Sequence, residues 1–273
     1  MITSKALTRM GVHHNIVVEP HEVSLYEDAV KKHNLLTRVI PLDMSFKDSY
    51  DYCDSHGTSR STGSGPARNF IWEHSKAAGF SHHWIMDDNI QNFRRLNKNK
   101  KVKCESPAFW RAMEDFSLRY TNVAMSGPQY AMFAMSRNGW APFRINTRIY
   151  SCNLIKNDVS FRWRGRYNED TILSLDMLKA GWCTILYNPF LQEKLATQTV
   201  KGGNTDTVYS EGTSDKSSML VREHPDVSRI SIKYNRIHHH VNYEGFKAMK
   251  LIKRSDYKVE SKVKTYGMEI KQV

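Results

Sequence analysis

The sequence predicts an α/β fold: one domain with a mostly parallel, mixed central sheet flanked by helices. Two observations support this. β-Branched runs alternate with helical segments over residues 15–90, which is the order of βαβ units. Hydrophobic residues make up 40% of the 273 residues, enough for a packed core. The sequence shows no internal repeat or linker, so we expect a single domain over 1–273.

The first unit begins with a short β-branched run. Residues 15–18 are typical of a buried strand, because Pro20 ends the run soon after them. A helix is predicted over 22–33 and a second strand over 35–42. Together these segments predict a parallel strand pair with a helical crossover.

The second unit starts with a loop rich in serine, glycine and threonine at 56–65. Pro66 can open a helix, and the segment 67–78 continues it to Gly79, a suitable C-terminal cap. Residues 82–86 then predict an apolar strand.

The second half is more mixed. We expect residues 201–218, which are polar and contain glycines, to be mobile, and 246–273 to form a basic C-terminal segment. The other predicted elements are a helix over 109–120, a strand pair over 123–136 turned at Gly127-Pro128, a strand over 148–155, a helix over 169–180 before Gly181, and a strand over 183–187.

The net charge is +12, from 40 Lys and Arg against 28 Asp and Glu. A field of this sign favours a polyanionic partner, such as nucleic acid or a phosphorylated substrate. There is no apolar stretch of about 20 residues and no apolar core of a signal peptide at the N-terminus. We therefore expect a soluble, cytoplasmic protein without a membrane partner.

The cysteines exclude two further classes. Cys53, Cys104, Cys152 and Cys183 lie far apart and form no CxxC pair. This spacing predicts neither a zinc ribbon nor a disulfide framework, and ordinary buried thiols are expected.

Three features should converge at the carboxyl ends of the first strands, where open α/β sheets bind ligands. They are Glu19, the loop that enters the helix at Pro66, and the acidic residues after 82–86. Residues 63–69 could bind phosphate through backbone N–H groups, and Arg68 would add a charged fork. The segment has neither the P-loop nor the GxGxxG pattern, and a plain flexible turn is the alternative.

Asp87-Asp88-Asn89 follows directly after the apolar strand. Oxygen ligands two residues apart can hold Mg²⁺ or Mn²⁺ against a diphosphate. A turn is equally compatible, because Asp and Asn favour turns.

Glu169 and Asp170 open a predicted helix, where acidic residues also complement the helix dipole. Just before them, a basic and aromatic segment could grip phosphate or stack a base, and a nearby carboxylate could act as general base. The residues of that segment are Arg162, Trp163, Arg164 and Arg166.

Two further clusters stand out. His238 and His240 would share one side of a strand and could complete a metal site with Asp87 and Asn89; a surface cluster is the alternative. The densest charge run could hold a nucleic-acid backbone or form a solvated loop. It comprises Arg94, Arg95, Lys98, Lys100, Lys101 and Lys103.

The order of these features resembles GT-A glycosyltransferases, with a DxD-type motif at 87–89 and a later acidic pair at 169–170. More narrowly, the segments 65–72 and 84–89, with 202–204 and Tyr209, resemble the TET-associated glycosyltransferases of bacteriophages. The resemblance covers roughly residues 15–245. It implies a nucleotide-sugar-binding half over about 1–90 and an acceptor half over about 91–245.

The resemblance also implies roles for individual residues. Glu19, Gly65, Arg68 and Asn69 would contact the nucleotide-sugar, and Asp88 would touch its sugar or ribose. Asp87 and Asn89 would bracket a divalent Mn²⁺ or Mg²⁺ ion, with His238 or His240 as the late ligand. Asn89 departs from the family's usual Asp and carries less charge for the metal. Asp170, or Glu169, would face the acceptor hydroxyl.

The implied reaction moves a sugar from a UDP-sugar to 5-hydroxymethylcytosine in double-stranded phage DNA. The predicted DNA contacts are the charge run and the segment at 162–166, with Trp163 and Arg166 as stacking candidates for a flipped base. The alternatives are a glycosyltransferase with a non-DNA acceptor, a metal-dependent nuclease, and a non-enzymatic nucleic-acid-binding module.

Overall fold

The computed structural model describes residues 1–135, 140–195, 213–233, 236–258 and 265–271. Its helices are α1 (Ile2–Arg9), α2 (Val23–His33), α3 (Ser45–Asp48), α4 (Gly65–Ala77), α5 (Ala108–Ser117), α6 (Glu169–Lys179) and α7 (Thr213–Glu223). Its strands are β1 (His14–Val18), β2 (Thr37–Pro41), β3 (His82–Met86), β4 (Ile90–Asn97), β5 (Lys100–Lys103), β6 (Val123–Tyr130), β7 (Phe143–Ile145), β8 (Cys152–Lys156), β9 (Cys183–Lys194), β10 (Ser228–Lys233) and β11 (Arg236–Val241). Short 3-10 turns occupy Pro20–Glu22, Gly57–Ser59, Ala131–Phe133 and Glu244–Phe246.

The central sheet is mixed, which corrects the prediction of a mostly parallel one. Its strands are ordered β3-β8-β6-β9-β4-β5, and β7 also pairs with β9. Among its described strands, β6 and β9 form the one parallel pair. β8 lies between β3 and β6 and runs opposite to both. The predicted parallel crossover is confirmed for β1 and β2, which form a separate two-stranded sheet linked by α2.

The charge run forms an antiparallel hairpin of β4 and β5. Lys98 and Asn99 form its two-residue loop, and both have positive φ, at 45° and 64°. Such loops suit the twist of paired strands. The run is therefore a β-hairpin that extends the sheet from β9.

Residues 123–130 form one strand, so the predicted strand pair turned at Gly127-Pro128 is wrong. A Cβ on Gly127 would lie 2.2 Å from the carbonyl oxygen of Cys152, so glycine allows β8 to approach closely. Pro128 sits where the register with β9 shifts, so its missing N–H breaks no regular ladder. The predicted strand over 148–155 is also shorter, because Ser151 has φ of 58° and β8 begins after it.

Helices cover both faces of the sheet. On one face α1 and α5 pack on Phe93, Ile185 and neighbouring core residues. On the other face α4 contributes Trp72 and α6 contributes Leu173 and Met177. The opposite side of α6 packs on Leu220 and Phe246, so this helix is buried nearly all round and its first turn is held in place. No helix in the described ranges is long and apolar enough to cross a membrane.

Candidate active site

Four element ends bring five charged side chains together, which we call the charged cluster. Asp87 follows β3, Arg68 lies in the first turn of α4, Glu169 and Asp170 begin α6, and Lys194 ends β9. Four of these residues are among those predicted from the sequence. Residues from both predicted halves of the chain therefore form one site.

Arg68 is the bridge of the charged cluster. Its Nη2 donates to Asp87 Oδ1 at 2.6 Å and its Nη1 to Asp170 Oδ1 at 2.7 Å. Glu169 Oε1 lies 3.4 Å from the same Nη1. The guanidinium is buried and lies over the ring of Trp163, 4.4 Å from its centroid. A planar, five-donor group can hold three carboxylates in this way, which lysine cannot.

The start of α4 positions Arg68 through close packing. Gly65 is the first residue of the helix, and a Cβ there would lie 2.0 Å from the hydroxyl of Tyr50. Tyr50 in turn donates to the carbonyl of Gly165 at 3.0 Å. Gly65 is therefore needed for packing in the described structure, whereas its predicted contact with a nucleotide-sugar is untested.

Lys194 is the member of the cluster that sequence reasoning missed. Its Nζ donates to Asp87 Oδ2 at 2.6 Å and to Ser151 Oγ at 3.2 Å. Each carboxylate oxygen of Asp87 thus has its own cation. The predicted strand ended at residue 187, whereas β9 continues to 194 because it pairs with both β4 and β6.

Backbone and amide donors fix Asp170 further. Ser151 N donates to its Oδ2 at 3.3 Å, and Asn153 Nδ2 to its Oδ1 at 3.4 Å. The hydroxyl of Tyr130 lies 2.6 Å from Ser151 Oγ. Tyr130 and Ser151 therefore form one wall of the site, and neither was expected from sequence.

Burial and charge set different pKa directions for the acids. Burial raises the pKa of Glu169 and of Asp170 against the opposing effect of Arg68. Burial also acts on Asp87, but Arg68 and Lys194 outweigh it and lower the pKa of that carboxyl. A carboxylate with a lowered pKa thus lies beside two with raised pKa values, a division suited to acid–base chemistry.

The residues 87–89 form the tight connection from β3 to β4, so their turn interpretation is confirmed. Thr3 holds it: Thr3 Oγ1 donates to the Asp87 carbonyl at 2.6 Å and Thr3 N to the Asp88 carbonyl at 3.0 Å. The Asp88 side chain is exposed. Asn89 Oδ1 is buried and has no hydrogen-bond partner.

Two other predicted nucleotide contacts have structural partners. Glu19 pairs with Lys47 and forms a capping box with Glu22 at the end of β1. Asn69 holds the backbone of Trp163, accepting from its N–H and donating to its carbonyl, both at 2.9 Å. Their roles toward a nucleotide-sugar stay predictions.

The predicted metal ligands do not form a cation site in this arrangement. His238 and His240 share one side of β11, as expected, but that side is exposed, and His239 is the half-buried one. Both Asp87 oxygens already carry cations. Among the residues that the structure describes, no group of three or more His, Cys, Asp or Glu could hold a metal ion. The described residues therefore hold no formed site of this kind, and the divalent ion stays a prediction.

The structure buries Trp163 and Arg166 of the segment 162–166, which corrects their prediction as stacking candidates, whereas the predicted DNA contacts of Arg162 and Arg164 are untested. Trp163 is only 1% exposed and cannot stack a base. Arg166 is buried and bonds Asp54 and the carbonyls of Gly57 and Ser61, so it anchors the loop before α4. Arg164 pairs with Asp176 and Glu223, and Arg162 with Glu73. Sequence reasoning did not pair these acids with the arginines, because three of the four lie 59 or more residues away in the chain.

In the β4–β5 hairpin, some of the predicted DNA-binding side chains are engaged within the fold and others are exposed. Arg94 pairs with Glu193, Arg95 lies over the ring of Phe190, and Lys101 donates to the carbonyl of Ala131. Lys98 and Lys100 are exposed at the hairpin loop. Residues 202–204 and Tyr209, which contributed to the family resemblance, lie outside the described residues.

The chain has an α/β fold in which Arg68 joins a carboxylate at a strand end to an acidic pair at a helix start. Over residues 1–203 the chain matches the family model of the TET-Associated Glycosyltransferase, and it belongs to that family. It is therefore an enzyme that transfers sugar, as the resemblance implied. No curated protein and no solved structure matches it.

Proposed function

We propose that this enzyme transfers a sugar from a UDP-sugar to the hydroxymethyl oxygen of 5-hydroxymethylcytosine in double-stranded DNA. Family membership implies a glycosyltransferase that acts on modified DNA. The observation that carries the proposal is Arg68, which joins Asp87 on the donor side to Asp170 on the acceptor side. A GT-A-like fold class is part of the same proposal.

On the donor side, Arg68 and Lys194 place positive charge beside Asp87, where it can neutralise the leaving diphosphate. The bond between the sugar's anomeric carbon and the diphosphate oxygen breaks, and UDP leaves with the bonding electrons. The acceptor oxygen forms the new bond to that carbon. Arg68 already donates to Asp87 and Asp170, so it would act as a fixed positive charge beside the diphosphate.

On the acceptor side, Asp170 takes the proton of the acceptor hydroxyl, with Glu169 as the other candidate. Three donors fix Asp170, so its carboxylate is the better positioned of the two. The raised pKa of both acids makes either a stronger base than an exposed carboxylate.

The divalent ion predicted from sequence is left out of this chemistry, because the described residues hold no formed site for one. Asp87 would have to release Lys194 or Arg68 before it could bind an ion. The prediction of Mn²⁺ or Mg²⁺ is decided by activity in EDTA and in added Mn²⁺.

The acceptor is supported by charge as well as by the family. A net charge of +12 favours a polyanion, and exposed lysines lie at the β4–β5 loop. A small-molecule acceptor would not require this field. A phage origin and a cytoplasmic location follow the same resemblance and stay predictions.

The test is incubation with a UDP-sugar panel and duplex DNA containing hydroxymethylcytosine, with cytosine DNA as control. Digestion to nucleosides and mass spectrometry identify the product. A hexose or pentose mass gain on the hydroxymethylated nucleoside alone supports the proposal. UDP release with no DNA product would keep the glycosyltransferase and reject the DNA acceptor.

A further inference from the structure

An exposed apolar tip follows β6 directly. Met132 is 80% exposed, Phe133 54% and Met135 44%, so three large hydrophobic side chains face solvent within four residues. Clustered exposed apolar side chains mark interaction sites more often than single ones do. The apolar tip, defined as Met132, Phe133 and Met135, therefore needs a partner.

The backbone that carries the tip is anchored. Ala131 and Ala134 are buried against Leu191, so the small residues face inward and the large ones outward. Lys101 Nζ donates to the Ala131 carbonyl at 2.7 Å, which ties the tip to the β4–β5 hairpin. Because its backbone is anchored, the apolar tip can keep its shape when a partner binds against it.

The tip borders the charged cluster. Phe133 packs edge-on against Tyr130, with ring centroids 5.7 Å apart. The Tyr130 hydroxyl lies 2.6 Å from Ser151 Oγ, and Ser151 contacts both Asp170 and Lys194. Two residues, Tyr130 and Ser151, therefore separate the apolar tip from the proposed general base.

The exposed lysines near the apolar tip favour a polyanionic partner. Lys98 and Lys100 are exposed on the hairpin that Lys101 joins to the tip. Apolar side chains next to exposed lysines complement a polymer with stacked bases inside and phosphates outside. Proteins that unstack DNA insert such apolar wedges between base steps.

We propose that Met132 and Phe133 form a wedge that enters the base stack of the acceptor duplex and fills the space left by the extruded hydroxymethylcytosine. The inference rests on the proposed DNA acceptor. Glu169 and Asp170 are largely buried, with side chains 21% and 15% exposed. A paired base cannot bring its hydroxymethyl group to carboxylates so enclosed, so the base leaves the stack.

The test compares the double variant Met132→Ser/Phe133→Ser with the wild type on duplex and single-stranded DNA containing hydroxymethylcytosine. The ratio of the duplex rate to the single-strand rate falls by about tenfold or more, because only the duplex has to be unstacked. The matched control is Leu25→Ser/Phe80→Ser, two exposed hydrophobics on α2 and before β3, which keeps the wild-type ratio. Melting temperatures establish that both variants fold.

An unchanged ratio overturns the wedge, as does an equal loss on both substrates, which indicates general docking. A direct readout uses duplex DNA with 2-aminopurine beside the target base and no sugar donor. Wild-type enzyme raises its fluorescence and the tip variant does not. If the wild type glycosylates neither DNA form, the proposed function fails, and this fluorescence still decides whether the tip unstacks DNA.

Discussion

Asp87 and Lys194 are 107 residues apart in the chain, yet Lys194 Nζ donates to Asp87 Oδ2 at 2.6 Å. Arg68 occupies the other oxygen of the same carboxylate. Asp87 therefore holds two cations at the end of β3, where the diphosphate of the donor is proposed to bind. Removing a carboxylate's partner in a largely buried site leaves a charge without compensation.

Lys194→Met should lower kcat/KM for UDP release by about a hundredfold, the usual effect of losing one charge-stabilising group. Steady-state UDP release measures it. Lys76→Met, on the exposed side of α4, is the matched control and should behave as wild type. A Lys194→Met variant within about threefold of wild type would show that this lysine only neutralises Asp87.

The acid limb of the pH–rate profile should lie above the ordinary carboxyl range. Burial raises the pKa of Asp170 and Glu169 above their usual 3.8 and 4.5. A base works only when deprotonated, so a raised pKa moves the loss of activity to higher pH. kcat/KM against pH measures the limb; a midpoint at or below the ordinary values contradicts the assignment.

Asp170→Asn should remove this limb and lower kcat by about 10²- to 10⁴-fold, as expected for loss of a general base. Glu169→Gln is the matched control: it should lower the rate less and keep the limb, because Asp170 has more fixed donors. The reverse pattern assigns the proton transfer to Glu169.

EDTA should leave wild-type UDP release within about threefold of the rate in added Mn²⁺, because Arg68 and Lys194 already supply positive charge at Asp87. Dialysed enzyme, with metal content checked by elemental analysis, gives the clean measurement. Strict dependence on Mn²⁺ would favour the sequence-based metal prediction instead. Binding of Mn²⁺ would also require Asp87 to release either Arg68 or Lys194.

The part of the site that could be predicted lies where local signals are strong. Arg68, Asp87, Glu169 and Asp170 stand at element ends that periodicity and capping residues define, and all four meet in the structure. Lys194 could not be found in this way. Its place depends on how far β9 pairs with β4 and β6, and strand pairing between distant segments leaves no local pattern.

The same limit explains why the burial of Trp163 and Arg166 was not predicted. Arginine and tryptophan in a loop have the same composition whether they face DNA or the core. Arg166 is buried and pairs with Asp54, which lies 112 residues away in the chain. The sequence around Arg166 therefore gives no sign of this pairing. The mixed sheet has a similar origin, since alternating elements predict parallel strands only where a helix crosses over between paired neighbours.

Arg166→Met should destabilise the fold by about 3 kcal/mol, because Asp54 and two partly buried carbonyls lose their donor. Denaturant unfolding at pH 7 measures this, with exposed Arg229→Met as control.

Burial raises the pKa of Asp54, but the hydrogen bonds from Arg166 lower it overall, below 3.8. The stabilisation is therefore present above that pH and is lost as pH falls through the folded value. If the variant is as stable as the wild type, Arg166 does not stabilise the fold, and its predicted role as a DNA contact becomes the better interpretation.

The lysines of the β4–β5 loop should instead affect DNA affinity without changing stability. Lys98→Ala/Lys100→Ala removes two exposed cations, so binding to duplex DNA weakens equally for cytosine and hydroxymethylcytosine sequences. The slope of log affinity against log salt falls by about two, one for each phosphate contact. Fluorescence anisotropy at several salt concentrations measures both effects. Lys31→Ala/Lys32→Ala, exposed on α2, is the matched pair. If both double variants lose affinity alike, the whole positive field binds DNA and the hairpin has no special part in it.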